Sequence, residues 1–149
     1  MILLIMMLFS NDAHCRPQLT IKGLLVNAER KHNIPKGILD AIARVESNHD
    51  YDAFVKHDGS TRKSSFGLMQ LQLASARQVG FKGKSKELLT PEVNIEYASL
   101  YLKLILKSHK NDVARSLTCY NAGPNSSLCR SKRYSSYVGL VLNALVSLK

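Results

Sequence analysis

The segment of residues 36–47 constrains the fold most, because its apolar residues recur at helical spacing and a glutamate ends the pattern. On such a helix Ile38, Ile42 and Val45 face the core, and Glu46 lies at the edge of that stripe. The carboxyl group therefore stands between apolar packing and an open space. Poor solvation disfavours the charged form and raises the pKa of an acid, which suits a proton donor near neutral pH. The alternative is a helix-end glutamate that faces water.

Length and charge predict one domain with a basic surface. A chain of 149 residues, 45% of them hydrophobic, can bury one core and has no room for a second full domain. We therefore expect a single domain over residues 16–149, present as a monomer. The net charge of +10 predicts a positive field that attracts polyanions, and nucleic acid, anionic lipid and bacterial cell wall all fit. A basic surface kept only for solubility is the alternative.

The amino-terminal segment has the pattern of a secretory signal. Residues 1–9 are uniformly apolar and too few to cross a membrane as a permanent helix. Ala13 and Cys15 stand at the two positions that a signal peptidase reads, so we expect cleavage before Arg16 and a signal peptide over residues 1–15. This predicts an exported protein of the periplasm or cell envelope. The alternatives are an uncleaved apolar anchor and a start-site artefact.

Cleavage there would leave two cysteines, Cys119 and Cys129, on either side of a polar, turn-rich stretch. In an oxidising compartment they could close a short loop, and two unpaired thiols are the alternative. The cysteines and the five histidines of the chain lack the short spacings of a metal site. We therefore expect no metal and no cofactor.

Helical patterns cover most of the chain. They predict helices at residues 18–32, 36–47, 68–79, 90–107, 112–119 and 134–148. The polar segment 51–65 contains an Asp58-Gly59 turn signal and predicts a loop or a small hairpin. The fold class is therefore mainly α with a small loop or β element.

Several ordered motifs add to the pattern around Glu46. In chain order they are Glu46-Ser47 with Ala53 following, Gly67-Leu68-Met69-Gln70, Pro91-Glu92-Val93-Asn94-Ile95, Tyr120-Asn121-Ala122-Gly123-Pro124, and Tyr137-Val138. Singly, each has an ordinary explanation, such as a tight turn at Gly67 or core packing by Met69. Together, over residues 34–142, they resemble the catalytic domain of soluble lytic transglycosylases, the lysozyme-like enzymes that cut bacterial peptidoglycan.

The resemblance implies a lysozyme-like (α+β) single domain with a substrate groove and one catalytic residue, Glu46. It implies non-hydrolytic cleavage of the β-1,4 bond between N-acetylmuramic acid and N-acetylglucosamine, which leaves 1,6-anhydro ends. We expect Tyr120 to contact Glu46 or the N-acetyl group of the sugar. By the same resemblance the substrate-binding residues are Ser47, Met69, Gln70, Asn94, Tyr120, Asn121 and Tyr137.

Packing remains the alternative role for Met69 and Tyr137, and helix-end hydrogen bonding for Ser47. The chain also departs from the family pattern at Cys119, where alanine is common. This departure affects the shape of the groove more than the reaction.

Two other functions compete with this interpretation. A hydrolase of the same bond would use a second acid to activate water, and Asp50, Asp52 and Asp58 are available for that role. A non-catalytic wall-binding component of an envelope machine is the second alternative. We expect no specific nucleic acid partner, because the chain has neither a helix-turn-helix pattern nor interleaved aromatic and basic residues. The expected partners are peptidoglycan glycan strands and a secretion, pilus, conjugation or phage-entry apparatus.

Overall fold

Helices enclose a small sheet in this protein. The computed structural model describes residues 20–56, 64–131 and 133–148. Its α-helices are α1 (Ile21–His32), α2 (Ile38–Ser47), α3 (Leu73–Gln78), α4 (Pro91–Ser108), α5 (Val113–Ala122), α6 (Ser127–Arg130) and α7 (Ser136–Ser147). The strands β1 (Phe54–Val55), β2 (Ser65–Phe66) and β3 (Leu71–Gln72) form one antiparallel sheet between α2 and α3. The predicted fold class, mainly α with a small β element, is confirmed.

The longest helix, α4, lies at the centre of the packing. It begins at Pro91, whose fixed φ and missing N–H suit the first position of a helix. Its buried residues include Ala98, Leu102 and Ile105, and the helix packs against α1, α3 and α5. The helix α2 packs against α7. All of these contacts contribute to one hydrophobic core, as the length of the chain predicts.

A buried carboxylate joins α1 to the start of α2. Glu29 is only 4% exposed, and its two oxygens accept hydrogen bonds of 2.9 Å from the N–H groups of Gly37 and Leu39. These are free donors of the first turn of α2, which has no side-chain cap of its own. Burial raises the pKa of Glu29, although the backbone hydrogen bonds act in the opposite direction. The first helix therefore fixes where the second begins, and Glu46 lies at the other end of that second helix.

The predicted helix over residues 68–79 is wrong in its first half. Only Leu73–Gln78 is helical, and the preceding residues form a turn and the strand β3. Gly67 and Gln70 have left-handed φ values of 66° and 45°, which an α-helix cannot contain. The N–H of Met69 is bonded to a side chain of α4 instead of a helical carbonyl. A tertiary contact therefore replaces the local helical pattern.

The predicted signal peptide over residues 1–15 lies outside the described residues. Within residues 20–56, 64–131 and 133–148, no helix has the length and apolar character needed to cross a membrane. The domain bounds of 16–149 stay a prediction, and the described residues share one core.

Candidate active site

A groove with a volume of about 840 Å³ runs along one side of the protein. We call residues 67–72, which include the turn before α3, the turn wall. We call residues 120–125, at the end of α5, the loop wall. The other lining residues that the structure describes include Glu46, Tyr101, Ser75 and Gln78. The volume lies in the range typical of ligand-binding clefts, so the groove can accept a sugar-sized ligand.

Glu46 lies on the last turn of α2 and is the single acidic residue among the described residues that line the groove. Its side chain is partly buried, and the phenolic hydroxyl of Tyr137 donates a 2.7 Å hydrogen bond to its Oε1. Burial raises the pKa of Glu46, while the hydrogen bond from Tyr137 acts to lower it. Because burial dominates, Glu46 retains its proton to higher pH than an exposed glutamate and can serve as an acid.

Tyr137 reaches Glu46 from α7 and is itself only 6% exposed. Burial and the nearby charge of Glu46 raise the pKa of Tyr137. The phenol therefore remains protonated and acts as a hydrogen-bond donor toward Glu46. Tyr137 is absent from the described residues that line the groove, so it supports Glu46 from behind, and its contact with a substrate stays a prediction.

Tyr120 lines the groove but is not the tyrosine that bonds to Glu46. Its hydroxyl donates a 3.0 Å hydrogen bond to the carbonyl oxygen of Met69. Burial, and after it the charge of Glu46, raise the pKa of Tyr120 well above its ordinary value. The predicted hydrogen-bonding contact with Glu46 is therefore made by Tyr137. Tyr120 instead connects the loop wall to the turn wall, and a contact with an N-acetyl group stays a prediction.

Asn94 is not among the described residues that line the groove, and its role in substrate binding stays a prediction. The residue is 0% exposed on α4. Its Oδ1 accepts a 2.8 Å hydrogen bond from the N–H of Met69, and its Nδ2 donates to the carbonyl oxygens of Phe66 and Leu88 at 2.8 and 2.7 Å. These three bonds use both hydrogens of Nδ2 and one of the two acceptor positions of Oδ1. Asn94 thus holds the turn wall in position from behind.

The turn wall also depends on Gly67. A β-carbon at Gly67 would lie 2.6 Å from the carbonyl oxygen of Leu88 and 2.7 Å from Nδ2 of Asn94. Together with its φ of 66°, this close approach requires glycine at the position. The family motif around Gly67 therefore has a structural basis in the contact with α4.

Two more of the predicted binding residues act behind the groove. The Ser47 hydroxyl donates hydrogen bonds to the carbonyl oxygens of Leu68 and Ala43, at 2.8 and 3.1 Å. The side chain of Met69 is 1% exposed and packs in the core. Neither is among the described lining residues, so the alternatives of helix-end bonding for Ser47 and packing for Met69 describe their positions.

Besides Tyr120, two of the predicted residues line the groove. Gln70 lies on the turn wall, where its side-chain nitrogen donates to the carbonyl oxygens of Gly67 and Ala53 at 3.0 and 3.2 Å. Asn121 lies on the loop wall and is exposed. Their roles toward a substrate remain predictions.

The sequence patterns missed a polar stripe on α3. Ser75 and Gln78 line the groove, and Gln72 does so just before the helix. Their spacing of three residues on a helix was the available signal, since such residues share a face. The incorrect prediction of one longer helix concealed it.

Two of the aspartates proposed for a second acid, Asp50 and Asp52, are not among the described residues that line this groove. Both are exposed in the loop after α2. The Oδ1 of Asp50 accepts a 2.9 Å hydrogen bond from the N–H of Asp52. Asp58 lies outside the described residues. Within the described part of the groove, a hydrolase would therefore lack the second carboxylate that activates water in such enzymes.

Cys119 and Cys129 form a disulfide in the structure, joining α5 to α6. His109 lies beside them, with its Nε2 3.2 Å from the sulfur of Cys119. In the described part of the chain, these three residues are the cluster that most resembles a metal site. Because both sulfur atoms are used in the disulfide, the cluster does not offer three metal ligands in this state. The prediction of a chain without a metal stays a prediction.

Comparisons with known proteins agree with this geometry. The Transglycosylase SLT domain model matches residues 24–137. The fold is similar to the lytic transglycosylase Slt of Pseudomonas aeruginosa, solved as an inactive mutant with glutamine in place of a glutamate, at a TM-score of 0.69 and 22% identity. It is also similar to the 70-kDa soluble lytic transglycosylase in complex with bulgecin A, at a TM-score of 0.63 and 24% identity.

These similarities cover 93% and 87% of this chain, but only 25% and 21% of the two relatives, respectively. The chain thus spans about a quarter of the length of the solved proteins that it matches. The match of the domain model extends from α1 into α7 and includes every motif that carries the resemblance except Val138. The chain therefore belongs to the transglycosylase SLT domain family.

Proposed function

We propose that this protein is a peptidoglycan lytic transglycosylase. It cleaves the β-1,4 bond between N-acetylmuramic acid and N-acetylglucosamine without water and leaves a 1,6-anhydro end. The observation that carries the proposal is the position of Glu46, a partly buried carboxyl in the described groove, with a raised pKa and a tyrosine hydroxyl on one oxygen. In the Pseudomonas aeruginosa relative, an inactive mutant carries a glutamine in place of one glutamate, which supports a reaction that depends on one acid.

In the first step, Glu46 acts as the general acid. It protonates the glycosidic oxygen that leaves with N-acetylglucosamine while positive charge builds on the anomeric carbon of the muramic acid. A glutamic acid whose pKa burial has raised keeps the proton that this step requires. Tyr137 stays bonded to Oε1 and stabilises the carboxylate that forms.

In the second step, the same carboxylate acts as the base. It takes the proton of the C6 hydroxyl of the muramic acid, and the C6 oxygen closes onto the anomeric carbon. The attack is intramolecular and gains from proximity, so no second acid is needed to activate water. The described groove has one acidic residue, Glu46, which fits this requirement.

The other groove residues position the sugar. We assign Tyr120 and Asn121 on the loop wall to contacts with the N-acetyl group and neighbouring hydroxyls of the glycan, because both line the groove near Glu46. Gln70 on the turn wall and the polar stripe of α3 provide amide and hydroxyl groups along the groove. Such groups suit uncharged sugar rings, whose hydroxyls exchange hydrogen bonds in both directions.

The test is product analysis with purified wall sacculi. We expect products that are lighter by one water than the reducing ends made by a hydrolase, detected by mass spectrometry. A Glu46→Gln variant should lose activity by about a thousandfold or more and keep its helical circular dichroism, because the amide cannot donate a proton. Asp52→Asn is the matched control, since Asp52 is an exposed acid outside the described groove lining. Reducing ends among the products, or an active Glu46→Gln variant, would overturn the proposal.

We also propose that the protein is exported and acts in the periplasm or cell envelope. The apolar residues 1–9 and the family's action on peptidoglycan support this location. There the enzyme would open or remodel the wall for a secretion, pilus, conjugation or phage-entry apparatus. Amino-terminal sequencing of protein from the periplasm should find Arg16 first, and an intact Met1 would contradict cleavage.

The positive charge of the chain supports a role in finding the wall. A net charge of +10 attracts anionic wall polymers over a range that salt shortens. We therefore expect binding of the Glu46→Gln variant to sacculi to weaken as salt rises. Binding that is independent of salt would contradict this role of the charge.

A further inference from the structure

The disulfide closes a loop that contains the whole loop wall. Cys119 and Cys129 are 0% and 3% exposed and lie 10 positions apart in the sequence. Residues 120–125, between them, form a contiguous part of the groove lining. The covalent link therefore ties this part of the groove to the buried face of α5.

Few other contacts hold the loop wall. The Ser126 hydroxyl accepts a 3.0 Å hydrogen bond from the N–H of Cys129 and donates one of 2.8 Å to the carbonyl oxygen of Gly123. In the described part of the chain, the hydrogen bonds made by residues 123–131 join residues within 119–131. The first residues of the loop wall are also held by the helix α5 and by the bond from Tyr120 to the carbonyl oxygen of Met69. The helix α6 is a single turn, too short to be stable by itself. The disulfide thus ties the part of the loop wall beyond α5, residues 123–125, to the buried face of that helix.

His109 adjoins both sulfur atoms. It lies at the carboxyl end of α4, and its Nε2 is 3.2 Å from the sulfur of Cys119 and 3.9 Å from that of Cys129. An imidazole in this position stabilises a thiolate and passes it a proton when the disulfide opens. Stabilising the reduced form makes a disulfide easier to reduce. Neither sulfur has a role in the glycosidic reaction proposed above.

We propose that the disulfide between Cys119 and Cys129 is a redox-controlled clamp on the loop wall, and that His109 is the positioning residue that makes it reducible. The reductant is a dithiol, which enters when the loop wall opens locally. Its thiolate attacks the sulfur of Cys129, the disulfide breaks, and the sulfur of Cys119 leaves as a thiolate and takes up a proton. The second thiol of the reductant then displaces Cys129. Two electrons and two protons reach the protein, and the dithiol becomes a disulfide.

Opening the clamp should affect substrate binding more than the chemical step. Glu46 and Tyr137 lie on α2 and α7, outside the closed loop. With the clamp open, binding a glycan must also order residues 120–125, and that cost weakens affinity. The inference rests on the proposed function, because the glycan is the ligand of the groove and its cleavage is one readout.

The first experiment compares the oxidised full-length protein with the same protein in dithiothreitol. We expect KM for glycan strands to rise about tenfold after reduction, and kcat to change by less than about twofold. The matched control is the variant Cys119→Ala/Cys129→Ala, which should show the higher KM in both conditions and no response to dithiothreitol. Equal KM for the oxidised and reduced wild type would overturn the inference. So would a loss of helical circular dichroism on reduction, because the clamp would then hold the entire fold.

The second experiment tests His109 by titrating the disulfide with dithiothreitol and counting alkylated thiols by mass spectrometry. His109→Ala should require about tenfold more reductant for half reduction, since the thiolate loses its partner. His109→Lys restores a cation near the sulfurs and should recover part of the difference. An unchanged midpoint in His109→Ala would overturn the role of His109. Failure of the proposed function would differ from all of these results, because the oxidised wild type would then cleave nothing.

Discussion

The turn wall and the loop wall face the same groove but are held by different means. Buried polar groups hold the turn wall: Asn94 bonds to the backbone at Met69, Phe66 and Leu88, and Ser47 bonds to Leu68. The bonds of Asn94 to Met69 and Leu88 are buried, where water does not compete for them, and the other two are partly buried. The loop wall depends on one covalent link, on the bond from Tyr120 to Met69, and on hydrogen bonds within its own segment.

The difference teaches that one groove can combine a permanent wall and a conditional wall. The turn wall is tied to the core, because its supports are the buried Asn94 of α4 and the half-buried Ser47 of α2. The state of the loop wall depends on whether Cys119 and Cys129 are oxidised. Four variants test this comparison, and we give them from the largest expected effect to the smallest.

Replacing Asn94 should give the largest loss of stability. Asn94→Ala leaves the N–H of Met69 and two carbonyl oxygens without their side-chain partner. We expect the free energy of unfolding to fall by about 4 kcal/mol, since each buried unsatisfied group costs about 1–3 kcal/mol. Urea denaturation measures this, with Asn143→Ala as the control, because Asn143 is exposed on α7. Similar losses in both variants would contradict the supporting role of Asn94.

Removing the disulfide should lower the free energy of unfolding by less than replacing Asn94 does. The Cys119→Ala/Cys129→Ala variant loses the loop-closing restraint on the unfolded chain, which for a loop of this size amounts to about 3 kcal/mol. We expect the variant to unfold at lower urea than the oxidised wild type and at nearly the same urea as the reduced wild type. A variant as stable as the oxidised protein would mean that the link does not stabilise the fold.

Adding a methyl group to the turn wall should have a smaller effect. Gly67→Ala must keep φ near 66° and place its β-carbon against the carbonyl of Leu88. We expect a loss of about 2 kcal/mol from this strain. Gly139→Ala is the matched control. Gly139 lies in α7, and a β-carbon there would have no other atom within 4 Å. The free energy of unfolding of that control should rise by about 0.5–1 kcal/mol because of the helix preference of alanine. A fall in that variant would weaken the comparison.

The smallest effect concerns Tyr137, which supports the acid that both walls face. Tyr137→Phe removes the hydrogen bond that lowers the pKa of Glu46, so that pKa should rise further. Activity depends on protonated Glu46 and falls as pH rises through its pKa, so the alkaline limb of kcat/KM should move to higher pH. We expect kcat to fall about tenfold because the carboxylate loses a donor.

The control for Tyr137→Phe is Tyr134→Phe, since Tyr134 is 60% exposed. The prediction is tested by measuring kcat/KM for cleavage as a function of pH in both variants. If the alkaline limb of kcat/KM moves to lower pH in Tyr137→Phe, this would contradict the prediction that the hydrogen bond lowers the pKa of Glu46.

Features that depend on neighbouring residues could be predicted from the sequence. The start of α4 follows from Thr90-Pro91-Glu92, because the proline and the acid act within the first turn. The apolar stripe before Glu46 likewise predicted α2 and a partly buried carboxyl. The family resemblance added the residues of the groove, and it placed Gln70, Tyr120 and Asn121 correctly on its lining.

Features that depend on distant residues could not be predicted in this way. The bond between Tyr137 and Glu46 joins positions 91 apart, and the bond between Asn94 and Met69 joins positions 25 apart. A sequence motif does not distinguish a residue that supports a groove from behind from a residue that lines the groove. Burial separates the two cases, and burial follows only from the packed fold.

The place of Glu46 within α2 has a further consequence for its acidity. A helix carries a partial negative charge of about half an elementary charge at its carboxyl end, where the last carbonyl groups point outward. Glu46 lies in that last turn, so the helix dipole itself disfavours the carboxylate. The secondary structure and the burial therefore act in the same direction. The strength of this acid is thus partly a property of where its helix stops.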